Sequence, residues 1–237
     1  MCYNVNMKRA KFVNEEYYHI YNRGVDKRTI FECQEDLERF FLSMKEFNVI
    51  EPIGSIYENS LIKIKKSKET KNFGRKSFGS RTPKKKKDKL VEFICYCLNS
   101  NHYHFLLQQL VDKGVEKFMH KLGTGYSNYF NKRYKRSGSL FQGRFKAVHV
   151  DSNEYLLHLS SYVNLNHRVH NLEKFGGSAT KLLKSSWGEY IGENTENFCE
   201  KDIILDQFGS ALDYKKFVED SLERIKENKE IKKFLLE

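Results

Sequence analysis

Residues 91–110 constrain this chain more than any other stretch. VEFICYCL (91–98) is apolar and rich in β-branched and aromatic residues, LNSN supplies a tight turn, and HYHFLLQQL (102–110) returns. Two such runs joined by so short a turn read as an antiparallel pair of strands. Cys95 and Cys97 alternate along the first strand, and Cys2, Cys33 and Cys199 are scattered elsewhere. An odd, dispersed set of this kind reads as buried small residues rather than a bridge or a zinc knuckle, and points to a reducing compartment, the cytoplasm.

The other elements follow from periodicity. EYYHIYNR (16–23) alternates aromatic and β-branched residues with polar ones and ends at Gly24, as a strand does. EDLERFFLSMKEFNV (35–49) sets Leu37, Phe40, Phe41, Met44 and Phe47 at helical spacing with acids in its first turn. A second helix is expected over 115–134, with Phe118, Met119, Leu122, Tyr126, Tyr129 and Phe130 toward the core, and KRSGS ends it. RFKAVHV (144–150) reads as a fourth strand. Asp151 or Ser152 then caps a third helix, NEYLLHLSSYVNLNHRVH, with Leu156, Leu159 and Val163 on its apolar face. The order β-α-β-β-α-β-α predicts an α+β fold: a ferredoxin-like, split βαβ antiparallel sheet with helices on one side and one extra helix. Residues 193–237 are polar and helical and read as a C-terminal appendage to a domain spanning 1–192.

Between Glu51 and Lys89 the pattern dissolves into Ser, Lys and Gly apart from a short LIKIK, so a long, partly disordered insertion is expected there. That insertion also holds the charge. From Lys63 to Lys89 there are 13 Lys and Arg against Glu69 and Asp88, which accounts for the whole net charge of +11; the rest of the chain carries 29 bases and 29 acids. The basic character is therefore local: a solvated loop able to hold phosphates by counterion release, and no proof of a basic core. No run reaches the ~18–20 apolar residues of a membrane span, and MCYNVNMKRAKF lacks an apolar signal core.

Two pairs of residues could carry chemistry. His102 and His104 stand two apart in a strand, so both imidazoles face one side of the sheet, a geometry suited to two ligands on one metal ion. Partly exposed strand histidines with no ligand are about as common. Tyr162 and Asn166 are spaced i, i+4 on the third helix. A phenol becomes a useful nucleophile when a divalent ion or base favours the phenolate, and an amide oxygen one turn away could complete the ion's coordination. On spacing alone, a half-buried core tyrosine and a helix-capping asparagine account for the pair better.

The strings in which these residues sit resemble a known family. SNHYHFLL is similar to the histidine–hydrophobe–histidine strand of the HUH single-strand nucleases in its transposase form. LLHLSSYVNLNHRVH resembles the helix of the REP-associated tyrosine transposases, usually an aromatic-rich run ending Tyr-Ile-x-Leu-Asn-Pro. YYHIYNRG with IFECQEDLERFF, RYKRSGSLFQGRFKAV and SSWGEYIG resemble the same IS200-like group in order and spacing, covering most of 12–192. Three features depart from the pattern: Tyr103 lies between the histidines, His167 stands in place of the proline, and the basic insertion has no compact counterpart.

The resemblance implies a metal-dependent, single-tyrosine endonuclease and strand transferase. Tyr162 would be the nucleophile, and His102, His104 and Asn166 the ligands of Mg²⁺ or Mn²⁺. The implied substrate is single-stranded DNA near a hairpin, cut through a 5′-phosphotyrosine link, by a monomer or homodimer. His19 and His158 are candidates to stand behind the ligands, though packing or a phosphate contact is the simpler role for His19. Arg23, Arg133, Arg136 and Arg144 are candidates to hold DNA phosphates. The rings of YSNYFNKRY (126–134) could stack on bases, against the better-favoured reading of a core stripe. A noncatalytic, RRM-like nucleic-acid-binding module is the main alternative, weakened by the missing RNP consensus. A replication-initiator-type HUH nickase is another; such enzymes usually carry a helicase domain or several tyrosines on the nucleophile helix.

Deleting residues 63–88 is expected to weaken binding to any DNA at low salt and to flatten its salt dependence, because fewer counterions are released. Cleavage of saturating substrate should persist. Affinity measured across a salt series, beside a cleavage assay, checks both; lost cleavage with unchanged binding would put the insertion in the active site.

Overall fold

A computed structural model describes residues 11–51, 53, 54, 56, 88–169, 182–193 and 196–234, with the backbone alone for 225–234. Most of the expected insertion, its LIKIK segment and its lysine run lie outside these residues, as does the third helical segment beyond Val169. The elements in chain order are β1 (Tyr17–Arg23), a 3-10 turn (Val25–Lys27), α1 (Gln34–Phe47), β2 (Val91–Asn99) and β3 (His102–Gln109). Then come α2 (Gly114–Arg133), β4 (Lys146–Val150), α3 (Asn153–Asn164), α4 (Asn166–Val169) and β5 (Lys184–Ser185). The short α5 (Trp187–Tyr190) and α6 (Asp202–Leu205) precede α7 (Ala211–Phe234). No helix among the described residues is long and apolar enough to cross a membrane.

The strands form one antiparallel sheet in the order β4-β1-β3-β2-β5, an α+β arrangement as the patterning predicts. The hairpin of β2 and β3 lies inside it, flanked by β1 on one side and the two-residue β5 on the other. Asn48, just after α1, clamps the entry to β2: its Oδ1 accepts from the amides of Leu90 and Val91, and its Nδ2 donates to the Val91 carbonyl. The amide of Ile50 donates to the carbonyl of Asp88 at 3.0 Å. Ile50 and Asp88, on either side of the insertion, therefore lie next to each other.

The helices lie on both sides of the sheet and not on one. α1 and α2 cover the first face over a core that includes Tyr18, Ile20, Phe93, Phe105 and Phe118. α3, α4 and α7 cover the second face over Ile94, Leu106, Leu159, Val163 and Tyr214. The reason lies in the central strands, which carry large apolar side chains on both faces: leaving the first face open would expose Phe93 and Phe105 to water, and leaving the second open would expose Ile94 and Leu106. Each large side chain so buried contributes about 1.5–3 kcal/mol. Cys95 and Cys97 are buried free thiols on the second face, and burial pushes Cys97 up to about 12, keeping it protonated. On the first face α1 and α2 touch closely. A Cβ at Gly125 would come within 2.5 Å of the Phe47 ring, so a side chain there would push the helices apart.

Ser152 is the residue that caps α3, its hydroxyl accepting from the amide of Tyr155. Farther along, α3 is tied to α7 by a buried polar chain. The Tyr214 hydroxyl lies 3.0 Å from Ser160 Oγ and accepts from Asn164 Nδ2, also at 3.0 Å. Asn164 Oδ1 accepts from Ser186 Oγ, which in turn accepts from the amide of Tyr96 on β2. Tyr214 is fully buried, and its ring packs on Tyr190 and Phe208.

Tyr214→Phe should cost about 1–2 kcal/mol, since it leaves two buried groups on α3 short of a partner. Tyr214→Ala should cost about 3–5 kcal/mol by adding a cavity. Denaturant unfolding of both variants measures this; a Tyr214→Ala protein as stable as the parent would mean that α7 does not support α3.

Candidate active site

β3 alternates its side chains between the two faces. Tyr103, Phe105 and Leu107 enter the first core, while His102 and His104 face α3. On β1, Tyr21 lies opposite His104 and Arg23 opposite His102, so His19, Tyr21 and Arg23 share that side. The His104 ring is held on three sides. His19 Nε2 lies 2.8 Å from His104 Nδ1, Tyr21 stacks on the ring at 5.5 Å, and Tyr162 meets it edge-on at 5.5 Å between centroids. The rings of His102 and His104 are 5.3 Å apart and nearly perpendicular.

An irregularity in β2 completes the cluster. Its pairing with β3 slips between Phe93 and Cys95, a bulge that reverses which residues face which side. Phe93 and Ile94 obey one parity; Tyr96 and Leu98 then join the first core while Cys97 joins the second. Asn99 thereby stands beside His102, its register partner, on the α3 side.

The hydrogen bonds around His102 impose a definite assignment of protons. Asn101 is anchored by donating from Nδ2 to the Lys27 carbonyl at 3.2 Å, so its Oδ1 faces His102 Nδ1, 2.6 Å away. The imidazole proton therefore sits on Nδ1, and Nε2 is left with a lone pair. Asn99 Nδ2 donates to Asn166 Oδ1 at 2.8 Å and lies 2.9 Å from His102 Nε2. His102 Nε2 and Asn166 Oδ1 then face each other across 3.0 Å, acceptor against acceptor. Turning the Asn166 amide over would only move the conflict, setting its NH₂ against that of Asn99. Asn166 Nδ2 is itself buried with no hydrogen-bond partner among the described residues.

A positive centre shared by these two atoms resolves the conflict, either a second proton on His102 or a metal cation. Neighbouring donors on a six-coordinate ion with bonds of about 2.1 Å stand roughly 3 Å apart, so the pair fits an ion of that kind. Among the described residues no group of three His, Cys, Asp or Glu could hold a metal. The donor set at this place is two imidazoles and an amide oxygen.

Tyr162 and Asn166 meet although the helix is interrupted between them. α3 ends at Asn164, Leu165 forms a turn whose amide still bonds to Ser161, and α4 starts at Asn166. Burial raises the Tyr162 phenol above its ordinary 10, with the nearby Asn166 amide pulling the other way, so the hydroxyl keeps its proton at neutral pH. Burial pushes His19 down to about 4, which makes it a neutral partner for His104.

The arginines do not converge here. Arg23 alone is on the histidine side, its Nε donating to Gln142 Oε1. Arg133 pairs with Asp36 at 3.5 Å and Glu35 at 3.9 Å. Arg136 lies over Phe130 and donates to Asn131 Oδ1, while Arg144 lines a cavity of about 700 Å³ with Asn22 and Tyr103 on the α2 side. Tyr126 and Phe130 are core residues, as the stripe reading of YSNYF has it. His158 stacks on Phe217 of α7. Sequence reasoning passed over Asn99 and Asn101, whose only signal was the polar NSN turn before the histidines.

Residues 60–166 match the family model for the IS200-like transposases. The matched span contains His102, His104, Tyr162 and Asn166, and begins within the basic insertion, after β1 and α1. Among solved structures, a REP-associated tyrosine transposase bound to a REP hairpin aligns with a TM-score of 0.46 at 9% identity, covering 83% of this chain and 98% of that one. The tRNA(His) guanylyltransferase of Saccharomyces cerevisiae aligns with a TM-score of 0.31 at 11% identity, covering 93% of this chain and 80% of the other. No curated protein matches in sequence.

In metal-free protein, stability should fall as pH drops from 6.5 toward 4, because the unfolded chain takes up a proton on His19 that the folded chain resists. The contribution is fully present above 6.5 and is worth at most about 3 kcal/mol. His19→Phe should remove it, flattening the profile of unfolding free energy against pH; an unchanged slope would mean that His19 is not held neutral.

Proposed function

We propose that this chain cleaves and rejoins single-stranded DNA near a hairpin, with Tyr162 as the nucleophile. The observation that carries the reading is the 3.0 Å approach of His102 Nε2 and Asn166 Oδ1, both acceptors, beside the Tyr162 side chain. The two acceptors share the Asn99 amide as their donor, and a cation held by both would take that amide's place. In this reading His102, His104 and Asn166 hold Mg²⁺ or Mn²⁺, the latter better matched to imidazole nitrogen. The bound ion would supply Lewis-acid neutralisation of the phosphate's charge.

The protein's own groups do the rest. Asn101 keeps the proton of His102 on Nδ1, and His19 offers His104 Nδ1 an acceptor, so that both Nε2 atoms are available to a metal. Asn166 touches both the nucleophile and the ligand cluster, coupling their positions. Tyr162 Oη attacks phosphorus in line; the new O–P bond replaces the bond to the 3′ oxygen. The phenolic proton is lost and the leaving 3′ oxygen gains one, giving a 5′-phosphotyrosine and a free 3′-OH. Reversal on another 3′-OH joins strands with no outside energy source, since the phosphotyrosine conserves the bond. Residues 1–192 form the catalytic unit in this reading, α7 supports its nucleophile helix, and Arg23 is the arginine placed to meet a phosphate. The protein acts in the cytoplasm as a monomer or homodimer.

Tyr162→Phe should abolish denaturant-resistant capture of a single-stranded oligonucleotide while changing stability by about 0–1 kcal/mol. A persisting adduct would assign the chemistry to another tyrosine. In Mn²⁺ titrations, His102→Ala and His104→Ala should lose affinity almost equally, and Asn166→Ala should lose less, because water can replace a neutral amide oxygen. Unchanged affinity in either histidine variant would dismiss the metal site.

A further inference from the structure

Tyr162 and His104 also line a cleft that extends away from them between β4 and α3, and its outer residues have no part in the chemistry described so far. Its volume is about 450 Å³, within the ~300–1,000 Å³ of small-ligand sites. Tyr21 and the His19–His104 pair form its floor, Val148 of the edge strand β4 one wall, and Tyr155 and His158 of α3 the other. Tyr155, Leu159 and Tyr162 follow one another at i, i+4, i+7, so a single helix face leads from the cleft to the nucleophile. Val148 and Tyr155 are each 37% exposed, two large apolar side chains facing water at a site that a charged strand must reach.

We infer that this cleft takes one unpaired nucleobase of the DNA strand, next to the phosphodiester attacked by Tyr162. The inference rests on the single-strand reading above and adds a base-binding subsite to it. The lining decides the occupant. A phosphate or sugar would be poorly served by Val148, Leu159 and tyrosine rings, whereas a base has flat faces that stack on aromatic side chains irrespective of sequence. The cation at this place is at the rim: Lys146 Nζ lies 5.9 Å from the centre of the Tyr21 ring, where it can meet the backbone phosphate of a base inserted below. Tyr155 is then a stacking wall and not a second nucleophile. Capture of the base would hold the neighbouring phosphate near Tyr162 Oη and would draw the strand out of any base-stacked form.

The test needs neither metal nor cleavage. Binding of an oligothymidylate of about a dozen nucleotides, and of an abasic strand of equal length, is measured by fluorescence anisotropy in EDTA. The parent protein should prefer the thymidylate by about tenfold or more. Tyr155→Ala should erase most of that preference and leave the abasic affinity unchanged, and Tyr155→Phe, which keeps the ring and loses the hydroxyl, should restore it. A preference that survives Tyr155→Ala, or a variant that weakens both strands alike, overturns the assignment. Loss of the covalent adduct chemistry of Tyr162 with the thymidylate preference intact would instead fail the catalytic reading and leave the base site standing.

Discussion

β3 is hydrogen-bonded along both edges, to β1 and to β2, and this double pairing is what the rest of the molecule depends on. A strand so held cannot rotate, so its side chains alternate strictly between two faces. Tyr103, Phe105 and Leu107 anchor one core, and the histidines are committed to the other side. The rigidity matters because ligand atoms must be placed to a fraction of an ångström, and a strand in mid-sheet is the part of a fold least able to move. The tyrosine between the histidines is consistent with this arrangement: Tyr103 stacks on Phe105 and meets Phe40, entirely within the first core.

Around that strand, three asparagines do the work of fixing protons. Asn101 sets the tautomer of His102, Asn99 orients Asn166, and Asn166 faces the histidine nitrogen with an oxygen. The arrangement brings two acceptors together at one point. Buried acceptors that face each other are costly in a low-dielectric interior and are relieved by positive charge.

The helix that carries Tyr162 is supported from behind. The polar chain from Tyr214 through Asn164 and Ser186 to the backbone of β2 locks α3 to the sheet and to α7 at once. That chain keeps the helix carrying Tyr162 from rolling, and the interruption at Leu165 lets Asn166 turn toward the histidines without unseating Tyr162. The C-terminal segment, which by composition alone is polar and peripheral, supplies Tyr214, Val218 and Leu222 to the second core.

Much of this was legible in the residues themselves. Periodicity placed the four main strands and the first two helices to within about two residues, because each is held by a local pattern: alternation in 16–23, helical spacing in 35–49. The third helix starts where a cap at 151 or 152 puts it, but it ends at Asn164 and does not run on unbroken as its pattern suggests. The H-x-H pair and the i, i+4 spacing of Tyr162 and Asn166 likewise depend only on geometry along one element. What the linear pattern does not contain is decided by contacts between elements. The bulge in β2 reverses the facing of Asn99 and arises from how Phe93, Ile94 and Cys95 must fill two cores together. The second helical layer follows from strands that are apolar on both faces, a demand that can be met by any amphipathic helix and so names none in advance. The scatter of Arg133, Arg136 and Arg144 away from the histidines, and the meeting of Tyr155 with Val148 across the cleft, depend on which way distant segments pack. The sequence by itself determined the elements and the chemical types at the site; only the tertiary structure decided which asparagines and aromatic rings surround them, because those partners are brought together by burial and not by spacing.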